Sequence, residues 1–169
     1  MKGHIRTIGI LLLVFINISC DQITKEVARN QLGEYKPVHL VQDYFILTKV
    51  ENTGAALSLG QHLSPKLKVV FLQVFPIAML IVLFSMILRQ NKSTKWAITG
   101  YSFIIGGGIG NIADRIRFDS VTDFMLLQWG PLRTGIFNMA DVSVVIGISL
   151  LLIDLIIQRH QDANKKIFS

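Results

Sequence analysis

Apolar runs of membrane length, with charge gathered at their ends, set the solvent in which this chain folds. Val69 to Leu88 is nearly uninterrupted, and about 20 helical residues cross a hydrocarbon core of about 30 Å. Pro76 is tolerated inside it because neighbouring groups in a membrane re-satisfy the freed carbonyl. An earlier run, Ile8 to Cys20, reaches the same length by continuing through Ile23 and Val27. Trp96 to Ile112 is apolar but rich in small residues, Gly100, Gly106, Gly107, Gly108 and Gly110, which let helix backbones approach closely. Met139 to Ile157 is apolar apart from Asp141 and Asp154. The pattern predicts an all-α integral membrane protein, a single domain over 1–169 with four transmembrane helices at about 8–28, 69–88, 96–112 and 139–157.

The net charge of +6 does not describe a nucleic-acid binder, because Lys and Arg sit at the ends of the apolar runs rather than on one soluble face. Lys2 and Arg6, then Arg89, Lys92 and Lys95, then Arg159, Lys165 and Lys166 mark three short segments as cytoplasmic by the positive-inside rule. Both termini are therefore expected on the cytoplasmic side. The longer connections, about Arg29 to Lys68 and Arg115 to Asn138, then face the other side and hold the working surface. Val38 to Leu40 and Phe45 to Val50 read as short strands, bounded by Pro37, Asp43 and Gly54. A small extracytoplasmic β-sheet at the membrane interface suits them, with Phe124 and Trp129 in the interfacial aromatic belt.

Asn17-Ile18-Ser19-Cys20 after a basic start imitates a lipoprotein signal peptide, but Asn17 is a poor fit and the rest of the chain is itself a membrane bundle. Cys20 is expected to be an ordinary buried helix residue. As the single cysteine it excludes an internal disulfide, and no cluster of Cys, His and carboxylates has metal-ligand spacing, so neither a metal nor a cofactor is expected.

A charged Asp costs about 2.5 to 3.5 kcal/mol at the centre of a spanning helix, so carboxylates in or beside the spans need a reason. Asp21 and Lys25, four apart, share a helical face, where they form an anchoring ion pair or take part in chemistry. Asn111, Asp114 and Arg115 gather at the outer end of the third span, either as a self-neutralising helix end or as part of a site. Asp123 is a lone carboxylate in an apolar stretch. Asp141 opens the last span three residues after Asn138, as an acid answering the helix dipole or as a reacting group. Asp154 lies 13 residues further on, about 20 Å along a helix, and is expected near Arg159 at the cytoplasmic end.

His4, His39, His62 and His160 lie in tails or in the first connection, which leaves no evident base for a serine or cysteine nucleophile. Two carboxylates sharing a site hold one proton between them. The ionised member can take a proton from water, and the protonated member can serve the oxyanion and the leaving nitrogen. A transporter predicts acids spread through the bilayer depth, whereas Asp21, Asp114, Asp123 and Asp141 all map to one side. A membrane scaffold explains the glycine-rich span but leaves Asp123 and Asp141 without a role.

Five motifs follow in one order: Asp21-Gln22-Ile23-Thr24-Lys25, Asn52-Thr53-Gly54-Ala55-Ala56, Gly107 through Arg115, Val121-Thr122-Asp123-Phe124 and Phe137-Asn138-Met139-Ala140-Asp141. In this the chain resembles the lipoprotein signal peptidase family (signal peptidase II), the aspartyl membrane peptidases of bacteria. The resemblance implies a four-helix peptidase of the bacterial cytoplasmic (inner) membrane, with its site near the extracytoplasmic surface. Its substrates would be diacylated prolipoproteins met in membrane lipid, and the cut would fall just before the diacylglyceryl-modified cysteine. Asp123 and Asp141 match the catalytic pair of the family, and Asp114 matches a supporting position. The resemblance further implies that Asn111 and Asn138 hold the pair by hydrogen bonds. Asn52, beside Gly54, and Arg115 would contact the substrate backbone, where globomycin-type inhibitors also bind. Asp21 and Lys25 would have structural roles. The chain departs from the family pattern at Thr122, often Val, and at Glu51, often basic or polar; a hydrogen bond from Thr122 to Asp123 is one expected consequence.

Overall fold

The computed structural model describes residues 2–33, 36–55, 58–90 and 93–167. Helix α1 is Lys2–Gln31, α2 is Pro65–Arg89, α3 is Lys95–Phe118 and α4 is Met139–Ile167. Strands β1 (Val38–Val41), β2 (Phe45–Asn52), β3 (Val121–Trp129) and β4 (Leu132–Arg133) form one antiparallel sheet in the order β1-β2-β3-β4. The two expected strands form, and β3 and β4 join them from a stretch whose pattern does not announce a strand. Val121 through Met125 are all buried, so the period-two alternation that marks a half-buried strand is missing. Met125 and Phe124 pack on Ala28 of α1. Phe124 is thus a core residue, 7% exposed, and not part of an aromatic belt; Trp129 is exposed and meets Tyr44 with ring centroids 5.0 Å apart.

Among the described residues, Gly3–Gln31, Pro65–Arg89 and Met139–Ala163 are long and apolar enough to cross a membrane. Leu12 and Phe15 on α1, Phe71 and Ile81 on α2, and Val145 and Ile156 on α4 point outward, as lipid-solvated helices require. Cys20 also lies on the outer surface of α1, contrary to the expectation that it is buried. In α2 the turn Val70–Val74 is π-helical, and the Phe75 N–H reaches back to the Val70 carbonyl. The widened turn lies directly before Pro76, which lacks the N–H that an α-helix needs at that point.

Helix α3, the expected third span, does not reach the same apolarity. It carries nine buried residues, against one, Ile87, in the Phe75–Arg89 part of α2, because α1, α2 and α4 all pack on it. Its glycines permit the closest of these contacts. A Cβ built on Gly107 would overlap the Ala140 carbonyl of α4, and one on Gly147 would lie 2.6 Å from the Gly100 carbonyl. Ile10, Val14, Ile87 and Ile105 fill the junction of α1, α2 and α3. At the end of the bundle away from the sheet, Asp154 is buried and accepts hydrogen bonds from Thr94 Oγ1 and Gln158 Nε2, each at 2.6 Å. Those neighbours satisfy it, and Arg159, five residues further along the helix, is exposed.

At the sheet end, α1 and α3 are joined by a charged cluster shielded from solvent. Lys25 Nζ lies 2.9 Å from Asp21 and 3.1 Å from Asp114, and all three side chains are 0% exposed. Helix α3 then stops abruptly. Asp119 takes the left-handed conformation (φ 57°), and its N–H closes on the Arg115 carbonyl, a conformation that Asp tolerates better than most residues. Strand β3 begins two residues later, which fixes where Asp123 emerges.

Gly147→Val is expected to force α3 and α4 apart at a cost of about 1–3 kcal/mol, seen as a lower thermal unfolding midpoint in detergent. Lys25→Met, which leaves buried Asp21 without its counter-charge and Asp114 with Arg29 alone, is expected to cost about 3–5 kcal/mol and to lower the same midpoint further.

Candidate active site

The last residues of β2 and the first of β3 run antiparallel, with Val50 opposite Asp123, Glu51 opposite Thr122 and Asn52 opposite Val121. Strand geometry sends alternate side chains to opposite faces, so Asn52 and Asp123 share a face and Glu51 and Thr122 share the other. Asn52 Nδ2 donates to Asp123 Oδ2 at 3.0 Å and to the Ala55 carbonyl at 3.1 Å, while Asn52 Oδ1 accepts the Gly54 N–H at 2.9 Å. Gly54 is required there, because a Cβ would fall 2.6 Å from the Leu59 carbonyl oxygen.

Asp141 arrives from the opposite side at the start of α4. Asn138 Oδ1 accepts the Asp141 N–H and Asp141 Oδ2 accepts the Asn138 N–H, both at 3.1 Å. This reciprocal arrangement is a capping box built from Asn and Asp. The Ala140 N–H, a further unpaired donor of the same first turn, goes to Asp21 Oδ1 at 2.8 Å. The pairing that opens α4 therefore also locates Asp141, and ties it to the α1 end of the charged cluster.

Asn111 and Asn138 link everything. Lys25 Nζ donates to Asn111 Oδ1 at 2.9 Å, and an ammonium can only donate. The Asn111 amide nitrogen must then face away, where it donates to Asp141 Oδ1 at 3.0 Å. Asn138 Nδ2 donates to Asn111 Oδ1 at 3.1 Å and to Asp123 Oδ1 at 2.6 Å. Both carboxylates are thus held at both oxygens by N–H donors, in an order that runs from the buried ammonium outward. Asp114 is not beside the pair: it accepts from Arg29, Gln22 and the Thr122 N–H and pairs with Lys25. Arg115 does not neutralise it. The Arg115 guanidinium donates to the Gly54 carbonyl at 2.8 Å and to the Asn111 carbonyl at 3.3 Å, and its buried Nε has no partner among the described residues.

Asp123 and Asp141 line one cavity of about 370 Å³, together with Asn52, Asn111, Arg115 and Asn138, and with apolar walls from Val121, Ile136, Phe137, Val144 and Val145. Asp123 is 4% exposed. Burial pushes its carboxyl up to about 6; the bonds from Asn52 and Asn138 work against that rise and the charge of Asp141 adds to it. A carboxyl of this kind can hold a proton that a neighbouring carboxylate lacks, which is the requirement for paired acid and base chemistry. Among the described residues no group of three His, Cys, Asp or Glu side chains is placed to hold a metal ion.

Thr122 does not serve Asp123 as expected. Its hydroxyl donates to Glu51 Oε1 at 2.9 Å and accepts from Arg29 Nε at 2.9 Å, on the far face of the strand. Sequence reading passed over Arg29 and Gln22. Arg29 follows Lys25 by four residues, as Lys25 follows Asp21, so the helical repeat already places all three on one face. Gln22, inside the first motif, donates to Asp21, to Asp114 and to the Gly110 carbonyl.

The model of the signal peptidase (SPase) II family matches residues 13–157. The lipoprotein signal peptidase of Borrelia hermsii is 36% identical over 88% of this chain and 89% of its own length. That of Enterococcus faecalis is 34% identical over 87% and 90%. A bacterial membrane enzyme solved in meso at 2.3 Å resolution superposes with a TM-score of 0.77 and 26% identity, covering 88% of this chain and 87% of its own. A second, at 1.9 Å, gives a TM-score of 0.75 and 25% identity over 87% and 92%. With a family match over most of its length, relatives aligned nearly end to end and a shared fold, this chain belongs to the signal peptidase II family.

Proposed function

We propose that the chain is a membrane aspartyl endopeptidase that removes the signal peptide from diacylglyceryl-modified prolipoproteins, cutting just before the lipidated cysteine. The observation that carries this reading is the pair Asp123 and Asp141, brought from a strand and a helix start to one cavity, with Asp123 raised to about 6. In the resting pair Asp123 holds the proton. Asp141 takes a proton from a water placed between them, the water oxygen bonds to the scissile carbonyl carbon, and the Asp123 proton passes to the carbonyl oxygen. Asp141 then protonates the leaving nitrogen while Asp123 recovers a proton from the tetrahedral intermediate. The C–N bond breaks and the starting protonation state returns.

Asn111 and Asn138 keep the two carboxylates at fixed separation, while Asp21, Lys25 and Asp114 hold the elements that carry them. Arg115 and the Asn52–Gly54 turn lie at the cavity wall, suited to holding the substrate backbone. Globomycin-type inhibitors would compete there. The apolar walls suit a substrate delivered from the lipid. In this reading α3 also crosses the bilayer, making four spans in one domain over 1–169. Both termini are then cytoplasmic, and the site lies near the extracytoplasmic surface of the bacterial inner membrane.

Asp123→Asn and Asp141→Asn are each expected to fold and to lower kcat by about 10³-fold or more, measured as the gel shift of a diacylglyceryl-modified prolipoprotein in detergent. Near-normal cleavage by either variant removes that residue from the mechanism. The competent pair carries one proton, so kcat/KM should fall as pH rises above the Asp123 value of about 6. The Asn52 bond stabilises ionised Asp123, and Asn52→Leu should therefore move this descending limb to higher pH.

A further inference from the structure

Behind the cavity, on the face of the sheet opposite Asp123, a chain of polar contacts crosses four elements, α1, α3, β3 and β2. Arg29 of α1 donates from Nη2 to Asp114 Oδ1 at 2.8 Å and from Nε to Thr122 Oγ1 at 2.9 Å. The Thr122 hydroxyl in turn donates to Glu51 Oε1 at 2.9 Å, and Glu51 Oε2 accepts from Ser120 Oγ at 2.6 Å. Every direction in this chain is forced. A guanidinium offers only donors, so Arg29 occupies a lone pair of the Thr122 oxygen and the hydroxyl proton is left for the carboxylate. The guanidinium is further fixed against the Phe118 ring, 4.3 Å from its centroid.

Thr122 is 1% exposed, so these bonds lie where an unmade one is costly. They also lie where the sheet needs them. The β2–β3 ladder is irregular between Leu47 and Val50, so the orderly pairing of Phe45 to Leu47 does not carry through to the residues beside the cavity. Past the irregularity, the cross-strand pair Glu51 and Thr122 is the side-chain contact that holds the two strands in step on the back face. On the front face the same step sets the contact of Asn52 with Asp123.

We propose that Arg29, Thr122 and Glu51 form a clamp on the back of β3 that positions Asp123 for reaction by holding β3 in register with β2 and against α1. The clamp touches neither substrate nor the reacting carboxyl, and it acts through the one peptide unit between Thr122 and Asp123. It rests on Asp123 being catalytic. Glu51 and Thr122 are each the partner of the other, and Arg29 completes the set.

The test compares wild type, Thr122→Val, Thr122→Ser, Glu51→Ala and Asp123→Asn in detergent, with kcat and KM for a diacylated prolipoprotein and a thermal unfolding midpoint for each. Misplacement of a reacting group on the scale of an ångström costs up to about 10²-fold in rate. Thr122→Val, which keeps the shape but removes the hydroxyl, is expected to lower kcat about tenfold with KM changed less than about twofold. Thr122→Ser, which restores the hydroxyl, should recover most of that loss. Glu51 is exposed, so Glu51→Ala folds even where Thr122→Val does not, and it should lower kcat by a similar factor. Wild-type kcat in a folded Thr122→Val or Glu51→Ala overturns the clamp, as does an equal loss in Thr122→Val and Thr122→Ser or a loss confined to KM. An active Asp123→Asn instead overturns the catalytic assignment beneath it, so the two failures are told apart.

Discussion

The ammonium of Lys25 has no route to solvent and is held by Asp21, Asp114 and Asn111, each within 3.1 Å. A buried charge is tolerated only where its partners are close and satisfied, and these partners come from both α1 and α3. Each also has a second duty. Asp21 receives an N–H from the first turn of α4, Asp114 receives the Thr122 N–H of β3, and Asn111 turns its amide nitrogen to Asp141. One buried cation therefore sets the mutual placement of two helices, a strand and a helix start. The cavity carboxylates inherit their positions from it.

The order of donors explains why asparagine recurs at the centre. An amide presents an acceptor on one side and donors on the other, so it can pass a fixed polarity from a cation to a carboxylate without adding charge of its own. Asn111 does this between Lys25 and Asp141, and Asn138 extends it to Asp123. A carboxylate in either place would add repulsion to a site already holding several acids. An aliphatic residue would leave buried acceptors unpaired.

Helical and strand periodicity made much of this legible. The spacing of Asp21 and Lys25 fixed a shared face, and carried one step further it would have included Arg29. Val38 to Val41 and Phe45 to Asn52 are strands as their composition indicates. Strand β3 was hidden because covering both its faces removes the alternation that identifies a strand. The partners of Thr122 and Asp154 were hidden for another reason. Thr122 meets Arg29 from 93 positions away, and Asp154 meets Thr94 from 60, so no local spacing reports those two, whereas Gln158, four residues from Asp154, lay within the helical repeat. Cys20 was misplaced because a membrane helix is apolar on its lipid face as well as its protein face, and a small apolar residue fits either.

Helix α3 shows what hydropathy measures. It supplies Asn111, Asp114 and Arg115, yet it is the helix that falls below the apolarity of its three neighbours. Lipid demands apolar side chains only from the surface it touches, and α3 is covered by α1, α2 and α4. Protein is its solvent along most of its length, so glycine and ionisable residues can replace leucine there at no loss to the bundle. The same enclosure gives those polar groups fixed partners, and on the neighbouring strand β3 burial likewise raises the carboxyl of Asp123. Reduced apolarity in one helix of a membrane bundle is therefore a marker of the helix that protein, rather than lipid, solvates.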